Sequence, residues 1–85
     1  MNRDLVTNID PKEASRGTMH VLDSLQSLKP EQQVVALALT FRLLLEKRGI
    51  QVQDAMEISD RALRYKDGSL LPEYRAARMY VQEEM

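Results

Sequence analysis

The chain lacks the residues on which several common kinds of active site depend. It contains no cysteine, which excludes disulfide bonds and thiolate chemistry and is compatible with a reducing cytosol. Its one histidine, His20, has no partner indicated by the sequence for a catalytic triad. The three glycines, Gly17, Gly49 and Gly68, are isolated, so no glycine-rich phosphate loop is present. The sequence therefore predicts a protein that is not an enzyme and that holds no cofactor.

The chain also lacks an excess of charge and a long apolar segment. Twelve basic and thirteen acidic side chains leave a net charge of −1, which provides no general attraction to nucleic acid or to an anionic membrane. Charged residues interrupt the first twenty positions, so no secretory signal fits there. The longest apolar run, 34–45, is far shorter than the ~20 residues that cross a bilayer. These features predict a cytoplasmic protein that does not enter a membrane.

The run from Val34 to Leu45 is the most informative feature that is present. Wound as a helix, it is apolar on nearly every side, and a helix of that kind has to be surrounded by other groups. In a chain of 85 residues this predicts the central element of the fold. Thr40 and Arg42 are its only polar interruptions. Either three neighbouring helices cover the run, or part of it is covered only by a second chain.

Local signals divide the chain into four helices. Asp10 and Pro11 are typical of a helix start, and the apolar stripe that follows predicts a first helix to about Leu28. The second is predicted over 30–48 and ends at Gly49, a left-handed terminator. The third is predicted over 52–65, and after a turn at 66–69 the fourth opens at Pro72. Gly17 lies on the apolar stripe of the first helix, which predicts close approach of another helix.

The predicted fold class is all-α. We expect a small four-helix bundle or orthogonal helical array around the central apolar helix at about 30–48, because short connections favour packing between neighbouring helices. A flexible N-terminal segment over 1–9 precedes a single helical domain over 10–85. Three helices with a frayed end form the main alternative.

A cluster of acids on the third helix suggests a metal site only superficially. Asp54, Glu57 and Asp60 follow one another at three-residue spacing, but the twelve-residue loop of an EF-hand is missing. Glu57 and Asp60 each stand four residues before an arginine, Arg61 and Arg64, which favours pairing on a solvated face. The sequence therefore predicts no metal site.

Nucleic-acid binding is the alternative function. The second helix, the turn at 48–51 and the third helix are similar to a helix-turn-helix, in which the third helix would enter the major groove. Its early exposed positions are acidic, which opposes a phosphate-lined groove. Cations gather later, near the corner between the third and fourth helices: Arg61, Arg64, Lys66, Arg75 and Arg78.

Binding to a protein partner is the leading hypothesis. Helices 3 and 4 carry apolar side chains outside their main stripes, and Met and Tyr are typical of interaction sites. The predicted partner-binding residues are Ile58, Tyr65, Met79 and Tyr80. The chain would then be a non-enzymatic interaction or regulatory module that binds stoichiometrically, in the manner of a phage or bacterial accessory protein. The sequence leaves open whether the partner is a different protein or a second copy in a homodimer, and whether these side chains belong to the core instead.

Overall fold

The structure, a computed structural model, describes Val6 and residues 8–85. Four α-helices follow one another: α1 (Pro11–Leu25), α2 (Pro30–Arg48), α3 (Val52–Ala62) and α4 (Pro72–Glu84). This part of the chain forms no β-strand, and its one antiparallel backbone bridge joins Arg64 to Leu70. The predicted all-α array of four helices is confirmed. Of the segment predicted as flexible over 1–9, residues 1–5 and 7 lie outside the described residues.

The helices begin where the sequence predicts. Proline opens α1, α2 and α4, because its fixed φ suits the first turn and its missing N–H is not needed there. Before α1, Asp10 accepts a hydrogen bond from the backbone N–H of Lys12 at 3.0 Å. Before α2, the side chain of Gln32 accepts from the N–H of Lys29 at 3.1 Å. These bonds satisfy backbone donors that have no partner within the helix.

Helix α1 ends at Leu25, short of the predicted Leu28, because a side chain from the next helix caps it. The amide Nε2 of Gln33 donates to the carbonyl oxygens of Leu25 at 2.9 Å and Leu28 at 3.2 Å. Carbonyls at a helix end lack partners within the helix. Gln33 supplies one, and the chain turns at once into α2.

The corner between α3 and α4 replaces the last turn that the sequence predicts for α3. The N–H of Leu71 donates to the carbonyl of Leu63 at 2.9 Å, and the N–H of Tyr65 donates to the carbonyl of Ser69 at 2.8 Å. These bonds close a small loop, and α3 therefore ends at Ala62 rather than at Tyr65. The turn predicted at 66–69 is confirmed. Asp67 accepts from both the N–H and the hydroxyl of Ser69, which lowers the pKa of its carboxyl group.

The helices pack mainly in two pairs, α1 against α4 and α2 against α3. The molecule measures 34 × 31 × 18 Å. Three helices stacked at interaxial distances of 8–10 Å would separate their outermost Cα atoms by at least about 20 Å, so along the smallest dimension the described helices form at most two layers. The buried apolar side chains are accordingly few among the described residues: Leu45, Leu71 and Ala77.

Helix α2 runs from Pro30 to Arg48 as predicted, but the chain's own helices cover only part of it. Leu45 is its one buried residue, while Ala36 and Phe41 are half-buried. Most of its other apolar side chains are exposed. Within a single chain, α2 therefore lacks the surroundings that its composition requires.

The two glycines that bear on the helices behave differently. Gly49 ends α2 with φ 67°, the left-handed conformation that the sequence predicts. The close helix approach predicted at Gly17 is wrong, because a Cβ atom built there would meet nothing within 4 Å. Gly17 stands on an exposed part of α1, and no described residue packs against it.

Alanine at these two glycines should shift stability in opposite directions. Gly17→Ala should raise the free energy of unfolding by about 0.5–1 kcal/mol, because alanine loses less backbone entropy in a helix and the space is open. Gly49→Ala should lower it by about 1–2 kcal/mol, because an L side chain is strained at positive φ. Urea unfolding followed by circular dichroism measures both. A destabilised Gly17→Ala variant would indicate a contact at Gly17 that the single chain does not contain.

Candidate protein-interaction surface

The largest apolar exposure in the described chain lies on α2. Six side chains between 43% and 71% exposed make up what we call the α2 surface: Val34, Val35, Leu37, Leu39, Leu43 and Leu44. On α3, Val52 and Met56 are also more than half exposed. Single exposed apolar residues are ordinary in monomers, but a run of them along one helix marks an interaction site.

The α2 surface consists of two stripes on opposite sides of the helix. At 3.6 residues per turn, Val34, Leu37 and Leu44 share one side with Phe41 and the buried Leu45. Val35, Leu39 and Leu43 form the other side, which we call the outer stripe. Leu45 and Phe41 contact the chain's own interior on the first side, whereas every member of the outer stripe is more than half exposed.

The two polar interruptions of α2 separate these stripes. The hydroxyl of Thr40 donates to the carbonyl of Ala36 at 2.8 Å, so its hydrogen-bonding need is met within the helix. Arg42 is exposed, on the opposite edge, where its long side chain can keep its charge in water. Neither residue prevents an apolar partner from covering the outer stripe.

The partner-binding residues predicted from sequence do not lie in one common groove. Tyr65 and Met79 are 51% and 56% exposed, Tyr65 at the α3–α4 corner and Met79 on α4. Ile58 is half-buried and lines an apolar groove of about 480 Å³ whose walls come from α1, α3 and the start of α4. Val6 and Ile9, from the N-terminal segment, line the same groove. Ile58 therefore faces the interior of its own chain.

Tyr80 is engaged with α1. Its hydroxyl donates to the carboxylate of Asp23 at 3.0 Å and accepts from the side-chain amide of Gln26. Burial raises the pKa of Tyr80, and the bond to Asp23 raises it further, because both disfavour the charged phenolate. The side chain thus connects α4 to α1 and is not free to bind a partner.

The cations predicted to bind nucleic acid, Arg75 among them, are exposed but do not line one common depression. Arg64 forms an ion pair with Asp60 at 3.4 Å and donates to the carbonyl of Gly68 at 3.1 Å. Arg61 lies beside Glu57 and Asp60. Lys66 lines the depression next to Lys12, whereas Arg78 lines another with Leu22 and Val81. Local acids therefore share the face on which phosphates would have to bind.

The α2 surface was missed as a site by sequence reasoning, although its signal was recognised. The sequence leaves open whether a second chain covers part of the apolar run or three neighbouring helices wrap it. The thickness of the fold, which depends on how the helix pairs are arranged, determines that they do not. No pattern in the sequence specifies that arrangement.

The described residues place further limits on the chemistry. Among them, no group of three or more His, Asp or Glu side chains could hold a metal ion. No helix within this part of the chain is long and apolar enough to cross a membrane. Comparison with protein-family models, with curated proteins and with solved structures finds no match to the chain.

Removal of the Tyr80 hydroxyl should change how stability depends on pH. Because the pKa of Tyr80 is raised in the folded state, its stabilising effect is present below the unfolded pKa of about 10 and is lost as pH rises through the folded value. Tyr80→Phe should therefore be less stable than the wild type at pH 8, and the difference should shrink above pH 10. Urea midpoints at pH 8 and pH 11 provide the measurement.

Tyr65→Phe is the matched control, since that tyrosine is exposed and lies outside the α1–α4 contact. It should follow the wild type at both pH values. Equal midpoints for Tyr80→Phe and the wild type at pH 8 would show that the bonds to Asp23 and Gln26 do not stabilise the chain.

Proposed function

We propose that the chain is a non-enzymatic protein-interaction module that acts by burying the α2 surface against a protein partner. The observation that carries the proposal is the exposure of this surface, whose side chains range from Leu37 at 43% to Val34 at 71%. Apolar area removed from water is worth roughly 25 cal/mol per Å², which makes such a surface a strong driving force for association. Binding of this kind is stoichiometric and needs no catalytic group.

The exposure of the apolar side chains supports the α2 surface as the binding site over the surface predicted on helices 3 and 4. Of the four residues predicted there, Ile58 and Tyr80 are half-buried against the chain's own helices. Tyr65 and Met79 remain available, but they are two separate side chains. The α2 surface contains more exposed apolar side chains, and they all belong to a single helix.

The charged groups of the chain do not favour nucleic-acid binding, and its single histidine does not favour catalysis. The exposed acids Glu57 and Asp60 stand on the helix that would enter a DNA groove, where they would repel phosphates. The single histidine, His20, is exposed on α1. An accessory or regulatory role in the cytoplasm, exerted through contact with another polypeptide, is the function we propose.

Two double variants, which replace side chains of similar exposure, test whether the chain binds through the α2 surface or through the surface predicted from the sequence. Leu39→Ser with Leu43→Ser should weaken association by at least about 100-fold, because each buried leucine contributes about 1.5–3 kcal/mol and tenfold in affinity corresponds to about 1.4 kcal/mol. Tyr65→Ser with Met79→Ser should leave association intact. Sedimentation velocity of the purified chain and co-purification from the cells that encode it measure association with self and with other proteins.

Both double variants should keep the helical circular dichroism of the wild type, since all four side chains are at least half exposed. Loss of association only in the Tyr65 and Met79 variant would return the site to helices 3 and 4. Undiminished association in both variants would contradict a function through either surface.

A further inference from the structure

We propose that the partner of the α2 surface is a second copy of this chain, and that the two α2 helices pack antiparallel across a two-fold axis near Leu39. The inference rests on the proposed function, because it assumes that the α2 surface binds a protein. It adds the identity of that protein and the direction in which the helices pair. Three observations support it: the surface area of the chain, the charges at the ends of α2, and the register of the outer stripe.

The chain exposes more surface than a monomer of its size. Its accessible area is 6875 Å² at a mass of 9.8 kDa. A folded monomer of that mass exposes about 5,200 Å², which leaves an excess of about 1,700 Å². Even if residues 1–5 and 7 are credited with the full area of an extended chain, the excess is still about 900 Å².

That excess matches what a stable dimer buries. If each of two copies buries its own excess, the interface totals about 1,800–3,400 Å², above the standard size of about 1,600 Å² and overlapping the range of obligate homodimers. Homodimer interfaces are also more apolar than transient ones, as the Val and Leu content of the α2 surface is. A second copy would therefore supply the cover that the chain itself does not.

The charges on α2 favour antiparallel pairing of two copies. Glu31 lies in the first turn, and Lys47 and Arg48 lie in the last. In an antiparallel pair centred on Leu39, Glu31 of one copy stands at the level of Lys47 of the other, so opposite charges meet at both ends. A parallel pair would place like charges together and align the two helix dipoles unfavourably.

The outer stripe is self-complementary in the same register. About an axis at Leu39, Val35 of one copy faces Leu43 of the other, and the two Leu39 side chains meet at the centre. A two-fold interface uses the same patch on both subunits, so this equivalence is what the symmetry requires. The three side chains of the outer stripe are also between 56% and 66% exposed, which leaves them accessible to a second chain.

The absence of cysteine allows a direct test, because every introduced thiol is unique. Leu39→Cys should crosslink two copies on mild oxidation, since the two residues meet at the axis. Glu31→Cys alone should not, because in an antiparallel pair the two positions lie about 24 Å apart at 1.5 Å per residue, beyond disulfide reach of about 7 Å. Glu31→Cys combined with Lys47→Cys should restore the crosslink. Light scattering of the unmodified chain should give twice 9.8 kDa.

Other outcomes overturn the inference in distinguishable ways. Crosslinking of Glu31→Cys alone would indicate a parallel pair, and a mass of 9.8 kDa at every concentration would exclude the second copy. If the chain is a monomer at every concentration, binding of an apolar fluorescent dye tests the proposed function separately. Dye binding that is lost in the Leu39→Ser, Leu43→Ser variant would leave the α2 surface free for a different protein. A monomer that binds no dye would contradict both proposals.

Discussion

The whole structure depends on the need of one helix to be shielded from water on every side. Helix α2 carries apolar residues around nearly its full circumference, and the described residues form three other helices with which to cover it. Those helices form a molecule 18 Å thick, in which α1 packs on α4 and α2 rests on α3. Leu45 is buried on one side of α2, whereas the outer stripe on the other side is exposed along its whole length. The function that we propose follows from that unsatisfied side.

The residues that connect the helices are different from the residues that we propose bind a partner. Gln33 caps α1, Tyr80 connects α4 to α1, and the bonds around Asp67 hold the α3–α4 corner. These polar contacts bring α1, α3 and α4 together around an apolar groove without using the outer stripe of α2. A small domain buries a modest fraction of its surface, so binding that adds apolar burial also adds stability to the fold. Folding and association would then be thermodynamically linked.

The helices themselves could be predicted from local chemistry, whereas their exposure could not. Pro11, Pro30 and Pro72 mark three helix starts, and Gly49 marks an end, because each satisfies a backbone requirement that acts over a few residues. The early ends of α1 and α3 depend on Gln33 and on the backbone of Leu71, which act from the neighbouring element. Ile58 and Tyr80 were predicted as binding residues because they lie off the main stripes, but α1 packs near both. An apolar residue has the same pattern in the sequence whether its own chain or another one covers it.

The dimer and the proposed function both require that protein covers the outer stripe of α2 in solution. A soluble paramagnetic probe that broadens the methyl signals of Val35, Leu39 and Leu43 tests this directly, with Val21 on α1, which is also exposed, as the internal reference. We predict that these α2 methyl groups are shielded at high protein concentration and become accessible on dilution, while Val21 stays accessible throughout. Equal accessibility of all four residues at every concentration would contradict the account.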